Sequence, residues 1–134
     1  MALRAFCDTS VLIRYFAEDD VPRAVAATAL IDSGTTLVVS TGVILEALFV
    51  LRRRYGFDNP DLAELLIRFL TRSNVELADA DRDTLVAAIV STRRSSSRHI
   101  VDAILAGAAA HAKCDFIASF DEKFSSRSVP VRLL

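Results

Sequence analysis

Four acidic residues occupy sequence contexts in which a carboxylate is costly or would face a ligand. Glu46 is the only charged residue in the apolar run VILEALFVL, and Asp102 lies in the similar run IVDAIL. Asp8 and Asp121 each stand just past a short apolar segment. Because an unpaired charge is strongly disfavoured in apolar surroundings, these carboxylates require arginines, protonation or a bound cation.

Short apolar segments alternate with longer helical patterns along the chain. Asp20 followed by Pro22 predicts a helix start, and Gly34 and Gly56 predict helix stops. Strands separated by helices favour right-handed crossovers, so we predict one α/β domain over residues 1–134 with a mostly parallel central sheet flanked by helices. Predicted strands lie at residues 3–7, 36–40, 75–78, 115–119 and 129–133. A turn is predicted at residues 8–10. Predicted helices lie at 11–16, 20–32, 42–55, 59–72, 82–94 and 99–113, and serines 95–97 are predicted to cap the last of them. One further helical turn is predicted at 121–124.

This topology puts two of the acids where a ligand is expected. Ligands of open α/β sheets bind beyond the carboxyl ends of the strands, where Asp8 and Asp121 stand. Two unit charges about 4 Å apart repel by roughly 4 kcal/mol at an effective dielectric near 20, so acids that converge need compensation. Carboxylate oxygens with waters suit Mg²⁺ or Mn²⁺ rather than zinc. If the fold brings them together, Asp8, Glu46, Asp102 and Asp121 are predicted to hold such an ion.

Structural interpretations remain open for three of these acids. Asp8 and Asp121 each also fit the N-cap of a helix that follows a strand. Asp102 lies four positions after Arg98, so an ion pair along one helix face is an alternative. Glu46 has no basic residue three or four positions away, and a helical ion pair does not explain it.

Composition excludes several classes of protein. The longest uncharged run, residues 33–45, is shorter than the roughly 18 residues of a membrane span. Arg4 and Asp8 interrupt any apolar signal-peptide stretch. Cys7 and Cys114 lie in apolar contexts and form neither a zinc cluster nor a disulfide framework. We therefore expect two reduced core thiols in a cytoplasmic protein without a membrane partner.

Arginines dominate the basic residues and occur in clusters. The net charge is −1, so the chain is not a general polycation. The planar guanidinium suits phosphate, although a charged helix end is also commonly a solvated cap. Candidate nucleic-acid-binding residues are Arg52, Arg53, Arg54, Arg93, Arg94 and Arg98.

Four segments carry the acids in a recognisable order. They are FCDTSVLIRYF with Asp8, STGVILEALFVLRRRYG with Glu46, HIVDAILAGAAAHAKCD with Asp102, and IASFDEKF with Asp121. Together they resemble PIN-domain ribonucleases over essentially the whole chain, and within that group VapC toxins of type II toxin–antitoxin pairs. The resemblance implies a three-layer PIN fold in which Asp8, Glu46 and Asp102 are near-invariant metal-binding acids and Asp121 is a more variable fourth.

The resemblance also implies an activity and partners. It implies a Mg²⁺- or Mn²⁺-dependent endoribonuclease that cleaves structured RNA such as tRNA or ribosomal RNA. Ser10 and Ser119 match positions whose hydroxyls often assist the acids. Members of the family typically form homodimers and are silenced by a cognate VapB-like antitoxin whose tail fills the acidic groove.

Two other functions remain alternatives at this point. One is a PIN scaffold that acts through protein or RNA contacts with weak or no cleavage. The other is a doubly wound phosphoacceptor or phosphatase that uses Asp8. Against the latter, Ser10 stands where the haloacid-dehalogenase pattern needs a second aspartate, and Cys7-Asp8-Thr9 lacks the adjacent acids of a receiver domain.

Overall fold

Five short strands and six helices make up residues 3–94 and 100–134, the part of the chain that the computed structural model describes. The strands are β1 (Arg4–Phe6), β2 (Thr36–Val39), β3 (Val75–Leu77), β4 (Ile117–Ser119) and β5 (Val131–Leu133). The helices are α1 (Thr9–Ala17), α2 (Val21–Ile31), α3 (Thr41–Tyr55), α4 (Asn59–Leu70), α5 (Arg82–Arg94) and α6 (Ile100–His111).

All described strand pairs are parallel. In the first sheet, with order β1-β2-β3, Ala5 pairs with Leu37 and Leu37 with Val75. Strands β4 and β5 form a second, two-stranded sheet, in which Ile117 pairs with Val131. The predicted α/β class with helices flanking parallel strands is confirmed. Because the strands divide between two sheets, β2 is the only described strand that pairs with β1.

The core lies between the first sheet and the helices. In β2 the side chains of Leu37 and Val39 are buried and their neighbours are half-buried, as the two-residue period of a strand requires. On the opposite side of the core, Phe16 meets Phe69 edge to face with ring centroids 5.8 Å apart. Helix α6 packs against α3 and α5, which connects its first turn to the rest of the domain.

Helix α3 is amphipathic, and this pattern positions its single acid. Ile44 and Leu48 are buried at a four-residue spacing, which turns this stripe towards the core. The Ser40 hydroxyl caps the helix start by accepting a backbone N–H of the first turn. Gly56 ends the helix at φ 68°, a conformation that favours glycine. Glu46 is left on the exposed side.

The structure corrects some sequence predictions. Thr9 and Ser10 belong to α1 itself, with Asp8 as N-cap, rather than to a separate turn. Residues 121–124 form a turn closed by a backbone hydrogen bond from Phe124 to Asp121, not a helical turn. Cys114 is exposed, because it follows the last turn of α6, so only one cysteine is a core thiol. The proposed cap at residues 95–97 lies outside the described residues.

The other cysteine, Cys7, is buried, unlike Cys114. Cys7 is buried at the end of β1, and desolvation raises the pKa of its thiol, so it stays protonated at neutral pH.

None of the described helices combines the length and the apolar character needed to cross a membrane.

Candidate active site

Asp8 lies at the start of α1, just past the carboxyl end of β1, and Glu46 reaches the first turn of the same helix. The Asp8 carboxylate caps the helix: its Oδ2 accepts the Ser10 N–H at 3.2 Å and the Ser10 hydroxyl at 2.6 Å. The hydroxyl of Thr9, the next residue, donates to Glu46 Oε2 at 3.0 Å. Thr9 is 7% exposed, so its position is fixed by packing. The Glu46 carboxylate is thereby held beside the residue that follows Asp8.

Hydrogen bonding keeps Asp8 ionised. The Ser10 hydroxyl, followed by the Ser10 backbone N–H, holds the pKa of the Asp8 carboxyl below its usual value. Both bonds from Ser10 go to the same oxygen, Oδ2, and the Asp8 residue as a whole is exposed. The capping interpretation of Asp8 and the ligand interpretation are therefore compatible. Ser10, predicted to support the acids, contacts Asp8 directly.

Asp102 lies in the first turn of α6 and is the only buried charged residue in the described part of the chain, at 9% exposure. Its Oδ2 accepts the Ser125 backbone N–H at 3.4 Å, a long hydrogen bond. Arg98, the alternative ion-pair partner, lies outside the described residues. A buried carboxylate with so weak a bond gains strongly from a cation nearby.

Asp121 lies in the turn after β4, the strand that pairs with β5 in the second sheet. Its N–H donates to Ser119 Oγ at 3.0 Å, and its Oδ1 accepts the Lys123 N–H at 2.9 Å. Since β4 belongs to the second sheet, Asp121 does not share a sheet edge with Asp8. Ser119, the other predicted supporting residue, contacts Asp121.

The described acids fit a divalent cation by donor chemistry but not as a complete cage. Residues 3–94 and 100–134 contain no group of three or more His, Cys, Asp or Glu side chains arranged to hold a metal. A shared metal site of Asp8, Glu46, Asp102 and Asp121 therefore stays a prediction. Mg²⁺ is commonly bound by one or two carboxylates together with waters and substrate phosphates. Asp8 and Glu46 supply two carboxylates of this kind.

The three arginines at the end of α3 differ in exposure and in hydrogen bonding. Arg52 donates to the side-chain oxygen of Asn59 and is half-buried. Arg53 and Arg54 are exposed, and the Arg53 guanidinium carbon lies 5.6 Å from the centre of the Phe49 ring. Positive charge at this helix end is also favoured by the helix dipole. Arg53 and Arg54 thus face solvent, where a phosphate could reach them.

In the second arginine cluster, the described side chain is exposed but engaged in an ion pair. Arg93 forms an ion pair with Glu64 at 3.2 Å, and Glu64 also binds Arg68 at 3.2 Å. The side chain of Arg94 and the whole of Arg98 lie outside the described residues. Glu64 therefore offsets only part of the positive charge of Arg68 and Arg93.

Sequence reasoning missed two side chains near the acids. Thr9 joins the first turn of α1 to Glu46, and the signal for it was the run of hydroxyl residues at a helix start. Phe49 is 60% exposed and stands three positions after Glu46, so the two side chains share a helix face. A large apolar side chain on the acid's face of α3 was the signal for Phe49.

Comparison with protein families identifies a PIN domain over residues 5–129. This span includes all four candidate acids and all but the ends of the chain. No curated protein is significantly similar in sequence.

Proposed function

We propose, on the premise that this chain belongs to the PIN domain family, that it is a Mg²⁺- or Mn²⁺-dependent endoribonuclease that cleaves structured RNA. PIN domains are generally nucleases and usually use divalent metals. The observation that carries the proposal is the hydrogen bond that holds Glu46 to Thr9, the residue directly after Asp8, at the carboxyl end of β1. The buried carboxylate of Asp102 supports it.

The chain's own residues have separate tasks in this mechanism. Ser10 keeps Asp8 ionised, and Thr9 fixes the direction of the Glu46 carboxylate. Asp102 and Asp121 would complete the ligand set, directly or through waters. A divalent ion held by these acids would neutralise charge on the scissile phosphate and make hydroxide available at neutral pH.

The arginines balance the negative charge of the acids. RNA approaching a cluster of carboxylates is repelled unless cations lie nearby. Arg53 and Arg54 are the exposed candidates for holding the RNA backbone, since phosphate contacts fix the position of the substrate.

The VapC-like segments support a more specific proposal. They favour a cytoplasmic toxin that forms a homodimer and is silenced by a VapB-like antitoxin covering the acidic groove. The hydrophobic content of 52% is high for a chain of 134 residues and is consistent with a subunit interface.

The test is cleavage of a pool of total tRNA and ribosomal RNA with Mg²⁺ or Mn²⁺ and with EDTA. We expect discrete fragments that require metal and disappear in Asp8→Asn and Asp102→Asn. Asp61→Asn, at an exposed acid in the first turn of α4, is the matched control and keeps full activity. The protein is purified under denaturing conditions and refolded, so that a bound antitoxin cannot mask activity.

The other outcomes separate the alternatives. Binding of RNA without cleavage would favour a PIN scaffold that acts as a binding module. A phosphate-analogue adduct at Asp8 would favour a phosphoacceptor. Metal-dependent cleavage by well-folded Asp102→Asn protein would contradict the assignment of Asp102.

A further inference from the structure

Helix α3 exposes an aromatic ring between its acid and its arginines. Glu46, Phe49 and Arg53 are spaced three and four residues apart, so they follow one face of the helix. The ring of Phe49 is 60% exposed, and the Arg53 guanidinium lies over it at 5.6 Å. From Glu46 to Arg53 the helix rises about 10 Å, at 1.5 Å per residue. A flat apolar surface therefore lies close to the candidate metal-binding acid.

The ring also forms one wall of a groove of about 400 Å³ between α3 and α6. This volume falls within the range of about 300–1,000 Å³ that is typical of small-ligand sites. Leu45, which precedes Glu46, lines one side, and Val101, which precedes Asp102, lines the other. The groove thus lies between the two helices that carry Glu46 and Asp102.

We propose that this groove holds an unpaired base of the RNA substrate, stacked on Phe49, while Arg53 and Arg54 bind the adjoining phosphates. The inference rests on the proposed function and names a substrate-positioning subsite for it. Bases stack on aromatic rings and on guanidinium planes, and both surfaces are present here.

Charge complementarity favours RNA over a protein segment as the occupant. Every base of an RNA strand brings a phosphate beside it, which matches an apolar floor bordered by exposed guanidinium groups. A purely apolar protein segment would leave Arg53 and Arg54 without a partner. Because every base has a stacking face, the subsite tolerates different bases but requires one that is not paired. Cleavage is thus directed to loops and single-stranded segments.

The test measures binding of a single-stranded oligoribonucleotide that carries 2-aminopurine, in Mg²⁺, with Asp8→Asn protein so that the strand stays intact. Stacking quenches 2-aminopurine fluorescence. Phe49→Leu keeps an apolar side chain but removes the ring, and we expect roughly 5- to 100-fold weaker binding and loss of quenching. Phe49→Tyr retains both. Phe49 is largely exposed, so circular dichroism should report an unchanged fold.

A second exposed phenylalanine provides the matched control. Phe116 is 38% exposed, and the Arg132 guanidinium carbon lies 3.6 Å from its ring centre in the second sheet. Phe116→Leu removes an arginine-stacked aromatic ring outside the proposed groove, so it should leave RNA binding unchanged. Equal effects of Phe49→Leu and Phe116→Leu would overturn the proposal. A Phe49→Leu protein that binds RNA normally but loses mass in sedimentation would assign the groove to a protein interface instead.

The failure of this inference can be told from that of the proposed function. If protein with Asp8 intact cleaves RNA with metal and Phe49→Leu changes neither binding nor quenching, the subsite is wrong and the nuclease stands. If Phe49→Leu weakens binding while no protein cleaves RNA, the subsite stands and the nuclease is wrong.

Discussion

Two adjacent hydroxyl residues in the first turn of α1 each hold one carboxylate of the candidate site. Thr9 is buried and has a single rotatable donor, which it gives to Glu46. Glu46 itself is exposed, so without this bond its carboxylate would sample many rotamers. Ser10 plays the corresponding part for Asp8. The geometry of the acids is therefore set by two neighbouring hydroxyl residues rather than by the acids alone.

Replacement of Thr9 by valine should impair cleavage more than folding. Thr9→Val removes the donor, so we expect about 10- to 100-fold lower activity and a higher Mg²⁺ requirement, as for other residues that orient metal ligands. The lost hydrogen bond should lower the free energy of unfolding by only about 1 kcal/mol. Thr9→Ser keeps the hydroxyl and is the control. Metal titrations of cleavage that coincide for wild type and Thr9→Val would contradict this role.

The hydrogen bond between Tyr55 and Asp19 makes the stability of the fold depend on pH. The Tyr55 hydroxyl donates to Asp19 Oδ2 at 2.8 Å. This bond raises the pKa of Tyr55 and lowers the pKa of Asp19. Because the pKa of the Tyr55 phenol is higher in the folded protein than in the unfolded chain, its contribution to the free energy of unfolding is complete below about pH 10. That contribution is lost as the pH rises through the pKa of the phenol in the folded protein. Because the pKa of the Asp19 carboxyl is lower in the folded protein than in the unfolded chain, its contribution to the free energy of unfolding is complete above about pH 4. That contribution is lost as the pH falls through the pKa of the carboxyl in the folded protein.

The variant Tyr55→Phe should therefore be less stable than wild type near neutral pH and equally stable at both extremes. Urea denaturation of both proteins between about pH 3 and pH 11 measures the difference. Absorbance of tyrosinate at high pH follows the phenol in the same samples. A stability difference that does not change with pH would show that the ring's packing, rather than this hydrogen bond, matters.

At the scale of elements, helix ends were more predictable than strand partners. Asp20 and Gly56 fix the start of α2 and the end of α3 through their own backbone and side-chain chemistry. Strand β4 was located correctly, but its partner is β5 alone, and a local pattern does not encode which edge a strand joins. The sequence could therefore nominate candidate acids, whose role stays a prediction, whereas the position of Asp121 relative to Asp8 depends on tertiary pairing.

The contact between α5 and α6 gives an element-scale prediction. A Cβ at Gly107 would lie 3.1 Å from Leu85 Cβ and 3.5 Å from its Cα, atoms that cannot rotate away. Overpacking of about 1–3 kcal/mol should exceed the gain of about 1 kcal/mol in helix propensity. Gly107→Ala should thus lower the urea midpoint with an unchanged slope.

The control for this prediction is a glycine in another helix. At Gly42 an added Cβ would meet only Ser40 Oγ, at 3.8 Å, an ordinary contact. Gly42→Ala should keep or raise stability by up to about 1 kcal/mol. If both alanine variants are equally stable relative to wild type, the two helices are not as closely packed as Gly107 indicates.

At the scale of the whole molecule, affinity for RNA has to come from the arrangement of charge. Sixteen basic and seventeen acidic residues leave a net charge of −1, which provides no long-range attraction. The described acids near α1 and in α6 repel phosphate until a cation is bound. Local arginines therefore decide binding, and the structure separates the exposed pair at the end of α3 from Arg93, which is paired with Glu64.

This separation predicts the salt dependence of RNA binding. For single strands, the logarithm of the binding constant falls with the logarithm of salt by about 0.7 per neutralised phosphate. Arg53→Gln and Arg54→Gln should each reduce that slope by about this amount, whereas Arg93→Gln should reduce it less, because Glu64 offsets part of the charge of Arg93. Fluorescence anisotropy in EDTA avoids competition by Mg²⁺ for the phosphates. A larger reduction in Arg93→Gln than in Arg53→Gln and Arg54→Gln would move the RNA path from α3 to α5.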